Sequence, residues 1–152
     1  MTDWLSDPEQ RIWRTFLSAN RKLQDHLGRD LQHKHNLSLA DYEILVRLSE
    51  SSKRRMRMSD LADVTLSSRS RLSHQVDRMV KAGLLERADC PDDRRGLFAV
   101  LTAEGFAALQ KAAPDHVEGV RAYFLDLFSQ RELATIGKLC GKVDDRLDGP
   151  GV

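Results

Sequence analysis

Between Ser67 and Lys81 the chain sets hydroxyls, guanidinium groups and an imidazole against apolar residues at helical spacing. Leu72, Val76, Met79 and Val80 fall at i, i+4, i+7 and i+8 of a helix expected over about residues 68–82, so Ser67, Ser70, Arg71, His74, Arg78 and Lys81 project from its other side. Groups of this kind read base edges, since Arg reaches guanine O6 and N7 together and Ser serves either base. The amides at the start of such a helix favour phosphate. An ordinary solvated face has the same pattern, and the helix alone does not decide between them.

A second feature follows directly. Asp93-Arg94-Arg95-Gly96 precedes the β-compatible residues 97–101, placing two arginines at a turn where side chains are free of packing. Arginine is favoured in a narrow minor groove by the negative potential there, and Asp93 is placed to hold a guanidinium in a bidentate pair. Helix, turn, helix and basic hairpin in this order point to a polyanion partner, and double-stranded DNA fits best.

The elements that must position these groups are legible. Residues 53–81 hold eight Lys or Arg against three Asp, within a chain of formal net charge +1, so the positive charge is local. Ser59 is the expected cap of a short helix 60–64, residues 65–67 a break, and Gly83 the end of the longer helix. The pair is a helix-turn-helix candidate. Strands at 84–87 and 97–101, with a charged tip between them, form the hairpin. Upstream, Asp7 and Pro8 open a long helix through Ile12, Trp13, Phe16, Leu23, Leu27 and Leu31. Ser38 and Asp41 then open a second, with Leu37 stapled onto Tyr42 and Leu45 and Leu48 buried. Residues 51–57 read as a surface connection. Thr102 caps a helix running through Phe106, Leu109, Val117, Val120, Phe124 and Leu127, which Pro114 is expected to kink. Ser129 and Glu132 open the last helix, expected to bury Leu133, Ile136, Leu139 and Val143.

With 152 residues, 41% of them hydrophobic, one domain is expected over 1–147, followed by a flexible tail at 148–152. Two cysteines cannot make a disulfide framework, and no apolar run of about 18 residues or leader pattern occurs, so a cytoplasmic protein with no membrane partner is expected. No Gly-rich phosphate loop or Ser/His/Asp constellation supports an enzyme, and no cofactor is implied. His33, His35 and Asp30 lack evident further ligands for zinc, so no metal site is expected. Cys90, on the turn beside Arg87, Arg94 and Arg95, is read as an exposed thiol, redox sensing being the alternative.

The sequence resembles the multiple-antibiotic-resistance regulator (MarR) family of winged helix-turn-helix repressors. Residues 58–64 and 72–87 resemble the family's two DNA-reading helices, and Asp93-Arg94-Arg95-Gly96 ending at Leu101-Thr102 matches its D-x-R…LT wing. The resemblance implies a mainly α fold with a small β-hairpin wing: a DNA-binding lobe at 38–102, with dimerisation helices at 5–31 and 103–147. It implies that Ser68, Arg69, Ser70, Arg71, Ser73, His74 and Gln75 enter the major groove and Arg95 the minor groove, oriented by Asp93. His74 stands where many members carry Arg, and an imidazole offers one bond per nitrogen in place of a fork. The resemblance further implies a homodimer through Leu5, Ile12, Phe16, Phe124, Leu127, Phe128, Ile136 and Leu139, reading a pseudo-palindromic operator. It also implies release by a small aromatic or phenolic effector, for which Trp13, His26, His35 and Tyr42 are the candidate contacts. The competing readings are a winged-helix protein-interaction module and a metal- or redox-responsive regulator.

Overall fold

The computed structural model describes residues 1–149. They fall into two compact units, Met1–His116 and a second that begins at Val117. In order, the elements are α1 (Asp7–His35), α2 (Leu39–Glu50), β1 (Arg55–Arg57), α3 (Met58–Val64), α4 (Arg69–Lys81), β2 (Leu85–Cys90), β3 (Asp93–Leu101), α5 (Ala103–Tyr123) and α6 (Gln130–Asp148).

In the first unit, α1 is longer at both ends than the apolar spacing suggested. Ser6, not Asp7, caps it: the Ser6 N–H and Oγ donate to the Glu9 carboxylate at 2.8 and 2.6 Å, bonds that hold this carboxyl below its ordinary range. At the far end Asn36 takes the left-handed conformation and its N–H bonds to the Gln32 carbonyl, closing the last turn. The expected capping box of α2 is present, with the Asp41 N–H on Ser38 Oγ and the Ser38 N–H on the Asp41 carboxylate, both at 3.0 Å.

The connection expected at 51–57 contains a strand. β1 joins a three-stranded antiparallel sheet of order β1-β3-β2, with Arg55 opposite Val100 and Arg57 opposite Phe98. Its three residues alternate as strand residues do, Met56 packing against the core between two arginines, although all three are half-buried. α3 begins at Met58 without a side-chain cap, so Ser59 lies inside the helix and does not cap it. Leu31, Leu37, Tyr42, Leu45, Leu48, Leu61, Leu72, Val76, Met79, Leu85, Ala99 and Leu101 form one buried cluster beneath α1 to α4 and the sheet. Truncating any of the fully buried leucines to Ala would cost about 2–5 kcal/mol.

The second unit starts within α5, whose helix continues through Pro114 and stops at Tyr123, before a short 3-10 turn at Leu125–Leu127. The expected continuation to Leu127 fails because Phe124 leaves helical geometry, at φ −141° and ψ −67°. α6 opens on the Ser129–Glu132 capping box. None of its residues is buried, contrary to the expectation for Leu133, Ile136, Leu139 and Val143. Asp148 is its last residue, and 150–152 of the expected tail lie outside the described residues.

Candidate DNA interface

α4 presents the chemistry that its sequence suggested, with two exceptions. Ser68 caps it, its Oγ accepting from the Arg71 N–H at 3.2 Å. Arg69, Ser70, Arg71, His74 and Arg78 are exposed, while Leu72, Val76 and Met79 are buried. Gln75 belongs to the buried side: its Nε2 donates to Asp41 Oδ1 at 3.1 Å, so its amide joins α4 to the cap of α2 and does not face outward. The other exception is Ser67, whose Oγ is buried without a partner. The turn before it carries Leu66 at φ 51°, a left-handed conformation that turns the chain sharply and leaves this leucine 91% exposed.

The hairpin is longer and its turn tighter than the charged run 88–96 implied. Paired strands extend to Cys90 and from Asp93, leaving Pro91 and Asp92 as the turn, with a register shift at Asp89 and Cys90. Arg94 and Arg95 therefore stand on β3, exposed, and not at the tip. Cys90 is buried, where an exposed thiol was expected, because the irregular register turns it against Gly96; a Cβ on that glycine would lie 3.1 Å from the Cys90 Sγ. Asp93 does not pair with the Arg95 guanidinium. Its Oδ1 accepts the Arg95 backbone N–H at 3.0 Å, fixing the main chain, and its Oδ2 lies 3.6 Å from Arg57 on β1.

Two residues absent from the sequence-derived set complete the surface. Arg57 had no periodicity to betray it. Arg87 lies on β2 opposite Ala99, and its guanidinium reaches Asp77 Oδ1 (3.0 Å), Ser73 Oγ (3.2 Å) and the Ser73 carbonyl (3.3 Å) on α4. Between the start of α4 and the wing lies a cleft of about 430 Å³ whose lining includes Arg57, Arg69, Ser73, Arg87, Asp93 and Arg95. Four guanidinium groups against one carboxylate make it strongly electropositive, a surface for phosphate. The wing is rooted by Thr102, whose Oγ1 donates to the carbonyls of Gly83 and Leu84 at 2.7 and 2.9 Å and accepts the Gly105 N–H at 3.0 Å.

The expected effector contacts do not converge. Trp13 is exposed and stacks on Phe16, at the opposite end of α1 from His35, about 33 Å away at about 1.5 Å per residue. His26 Nδ1 lies 2.8 Å from the Lys22 carbonyl on the helix surface. His35 and Tyr42 occupy packed positions: His35 Nε2 is 2.6 Å from Asp115 Oδ2, and the Tyr42 ring meets His116 at 4.3 Å between centroids. The bond from His35, with Lys34 nearby, holds the Asp115 carboxyl below its usual range, and burial pushes Tyr42 up and His116 down. Leu5, Ile12, Phe16, Leu127 and Leu139 are exposed, and Phe124, Phe128 and Ile136 half-buried. Among the described residues no group of three or more His, Cys, Asp or Glu could hold a metal ion, and no helix is long and apolar enough to cross a membrane.

A capped reading helix and an arginine-bearing hairpin flanking one basic cleft define a winged helix-turn-helix DNA-binding regulator. Residues 35–96 match the MarR family. The transcriptional regulator PecS of Dickeya dadantii is 31% identical over 115 residues, which span 75% of this chain and 69% of PecS. AbsC, a MarR family regulator from Streptomyces coelicolor, has a solved structure that is 50% identical, with a TM-score of 0.93 over 98% of this chain and 100% of AbsC. Sco3205 of the same organism, solved in complex with DNA, is 40% identical, with a TM-score of 0.95 over 97% of this chain and 92% of its own. The chain belongs to the MarR family and is a DNA-binding transcriptional regulator.

Proposed function

We propose that the protein acts as a homodimeric repressor, each protomer laying α4 in a major groove of a pseudo-palindromic operator and Arg95 of the wing in the adjoining minor groove. The observation that carries this is the basic cleft lined by Arg69 and Ser73 of α4 and by Asp93 and Arg95 of β3, with Ser68, Ser70, Arg71 and His74 exposed at the same end of α4 and Arg94 exposed beside Arg95. Arg78, a turn or two further along α4, extends the cationic surface towards a flanking phosphate. Gln75 and Ser67 are outside this set, because their polar atoms are turned inward.

The dimer is supported by apolar side chains left uncovered in a single chain, among them Ile12 at 70% and Leu139 at 53% exposure, on helices whose other faces are charged. Sco3205, at 40% identity, has been solved in complex with DNA. An aromatic effector is not part of this reading, because Trp13, His26, His35 and Tyr42 line no common cavity within the chain.

Selection of bound genomic fragments followed by footprinting tests it. Two protected half-sites centred about 10 base pairs apart are expected, with affinity that falls steeply as salt rises. A monomer bound at full affinity to one half-site would refute the dimer, and no retention of DNA at low salt would refute the whole reading.

A further inference from the structure

The guanidinium of Arg87 makes contacts that a phosphate-binding arginine would not need. It lies on β2 in register with buried Ala99, and its Nη2 points onto α4, where one carboxylate oxygen of Asp77, the hydroxyl of Ser73 and the main-chain carbonyl of Ser73 surround it. Ser73 and Asp77 are one helical turn apart, and all three contacts converge on the single nitrogen Nη2, which is seated between them at the middle of α4. Arg87 is the more covered partner, with 29% of its side chain exposed against 51% for Asp77.

Arg87 and Ser73 line the basic cleft together with Arg69 and Arg95. The root of the sheet is held to the helices by the buried cluster, in which Leu85, Ala99 and Leu101 join Leu61, Leu72, Val76 and Met79, and the clamp adds a polar tie between β2 and α4. A protein that reads a major groove with a helix and the next minor groove with a hairpin must hold the two at a fixed separation, because the grooves of the duplex impose one. We propose that Arg87 is a positioning residue, which with Asp77 and Ser73 sets the spacing between the reading helix and the wing. The proposal rests on the DNA-binding reading above.

It has a consequence opposite to simple electrostatics. Asp77 is an anion on the DNA-facing half of the molecule, so removing its charge should by itself strengthen binding to a polyanion. If Asp77 acts by holding Arg87, removing it weakens operator binding instead. The experiment measures operator and non-operator affinity against salt for the full chain and for Asp77→Asn, Arg87→Met, the double variant and Arg87→Lys. Near-wild-type circular dichroism and melting qualify each variant. Asp77→Asn and Arg87→Met are each expected to weaken operator binding about tenfold, equivalent to about 1.4 kcal/mol, with no change in the slope of log K against log salt.

The double variant is expected to be no worse than either single one, since both break one contact. Arg87→Lys should recover part of the loss, as an ammonium keeps the charge and the donors for Asp77 but sits on a shorter side chain. Non-operator affinity should move little. If Arg87→Met instead makes the salt slope shallower by about 1 while Asp77→Asn strengthens binding, Arg87 is a direct phosphate contact and the proposal is wrong. It is equally overturned if both variants bind the operator like the parent. A parent protein that retained no DNA at all would refute the earlier reading, a different outcome from either.

Discussion

Replacing Gly105 with Ala should destabilise the protein, although the same change elsewhere in its helices should stabilise it. Gly105 is in the first turn of α5, and a Cβ there would lie 2.1 Å from the Leu84 carbonyl oxygen and 2.8 Å from Leu101 Cδ1. An ordinary C···O contact is roughly 3.3 Å, so the first turn of α5 must retreat from the root of the wing by about 1 Å. That movement stretches the bonds from Thr102 Oγ1 to Gly83 and Leu84, at 2.7 and 2.9 Å, and from the Thr102 N–H to Leu84, at 3.2 Å. Each is worth about 1 kcal/mol, against which Ala in place of Gly gains about 0.5–1 kcal/mol in a helix. The net loss is therefore about 2 kcal/mol. Gly28→Ala in α1 is the control, since its Cβ would meet only Leu39 Cβ at 3.9 Å, an ordinary contact, and a gain of about 0.5–1 kcal/mol is expected. Urea titration of both variants followed by circular dichroism decides the matter. A Gly105→Ala protein as stable as the parent would show that α5 is not held against the wing root as described.

Arg95→Ala should weaken operator and non-operator DNA alike and make the salt slope shallower by about 1, whereas Arg71→Ala should cost about 1–3 kcal/mol on the operator alone and relax one base position per half-site. Mobility shifts on both kinds of DNA separate them, and unchanged binding by Arg95→Ala would remove the wing from the interface. Ser67→Ala deletes a buried hydroxyl that has no partner, so a gain of about 1 kcal/mol is expected, and a loss in denaturant titration would show that the hydroxyl is bonded in solution. His116, half-buried against Tyr42, has its pKa lowered from 6.5 by that burial, so the native state takes up this proton less readily than the unfolded chain. Its contribution is complete above pH 6.5 and is lost as the pH falls below it; melting between pH 7 and pH 5 should be less pH-dependent in His116→Asn, and an identical profile would exclude His116 as the cause.

The reading helix was legible because its apolar stripe, its Ser68 cap and Gly83, at φ 77°, all agree on one helix. Gln75 escaped because polarity is a poor guide to direction where a partner such as Asp41 satisfies the amide in the interior. β1 was illegible for a related reason: Arg55 and Arg57 are strand residues only because β3 supplies their hydrogen bonds, and nothing local says so. The same non-local pairing hid Arg57 and Arg87 as neighbours of Asp93 and α4. The charged run 88–96 suggested a long loop, but Ala88, Asp89 and Cys90 pair with Phe98, Leu97 and Asp93, so the turn shrinks to Pro91 and Asp92, Arg94 and Arg95 fall on β3 beside the irregular register, and Cys90 is buried. The apolar positions of α6 gave its period correctly, yet a period states which residues share a face and not what covers that face.

The pairing of Arg55 with Val100 also bears on how the molecule assembles. β2 and β3 are joined by a turn of two residues and can meet early, as a hairpin closes on a microsecond scale. β1 reaches the same sheet only across a chain segment that contains α3, α4 and β2, so its pairing closes a ring around the helix-turn-helix. Docking β1 must then follow the condensation of those helices onto Leu61, Leu72 and Val76, because until then the ends of the segment are far apart and the closure entropy is unrewarded. The last strand to add is the one whose free edge carries arginines, a composition that discourages pairing with another chain while the ring is still open.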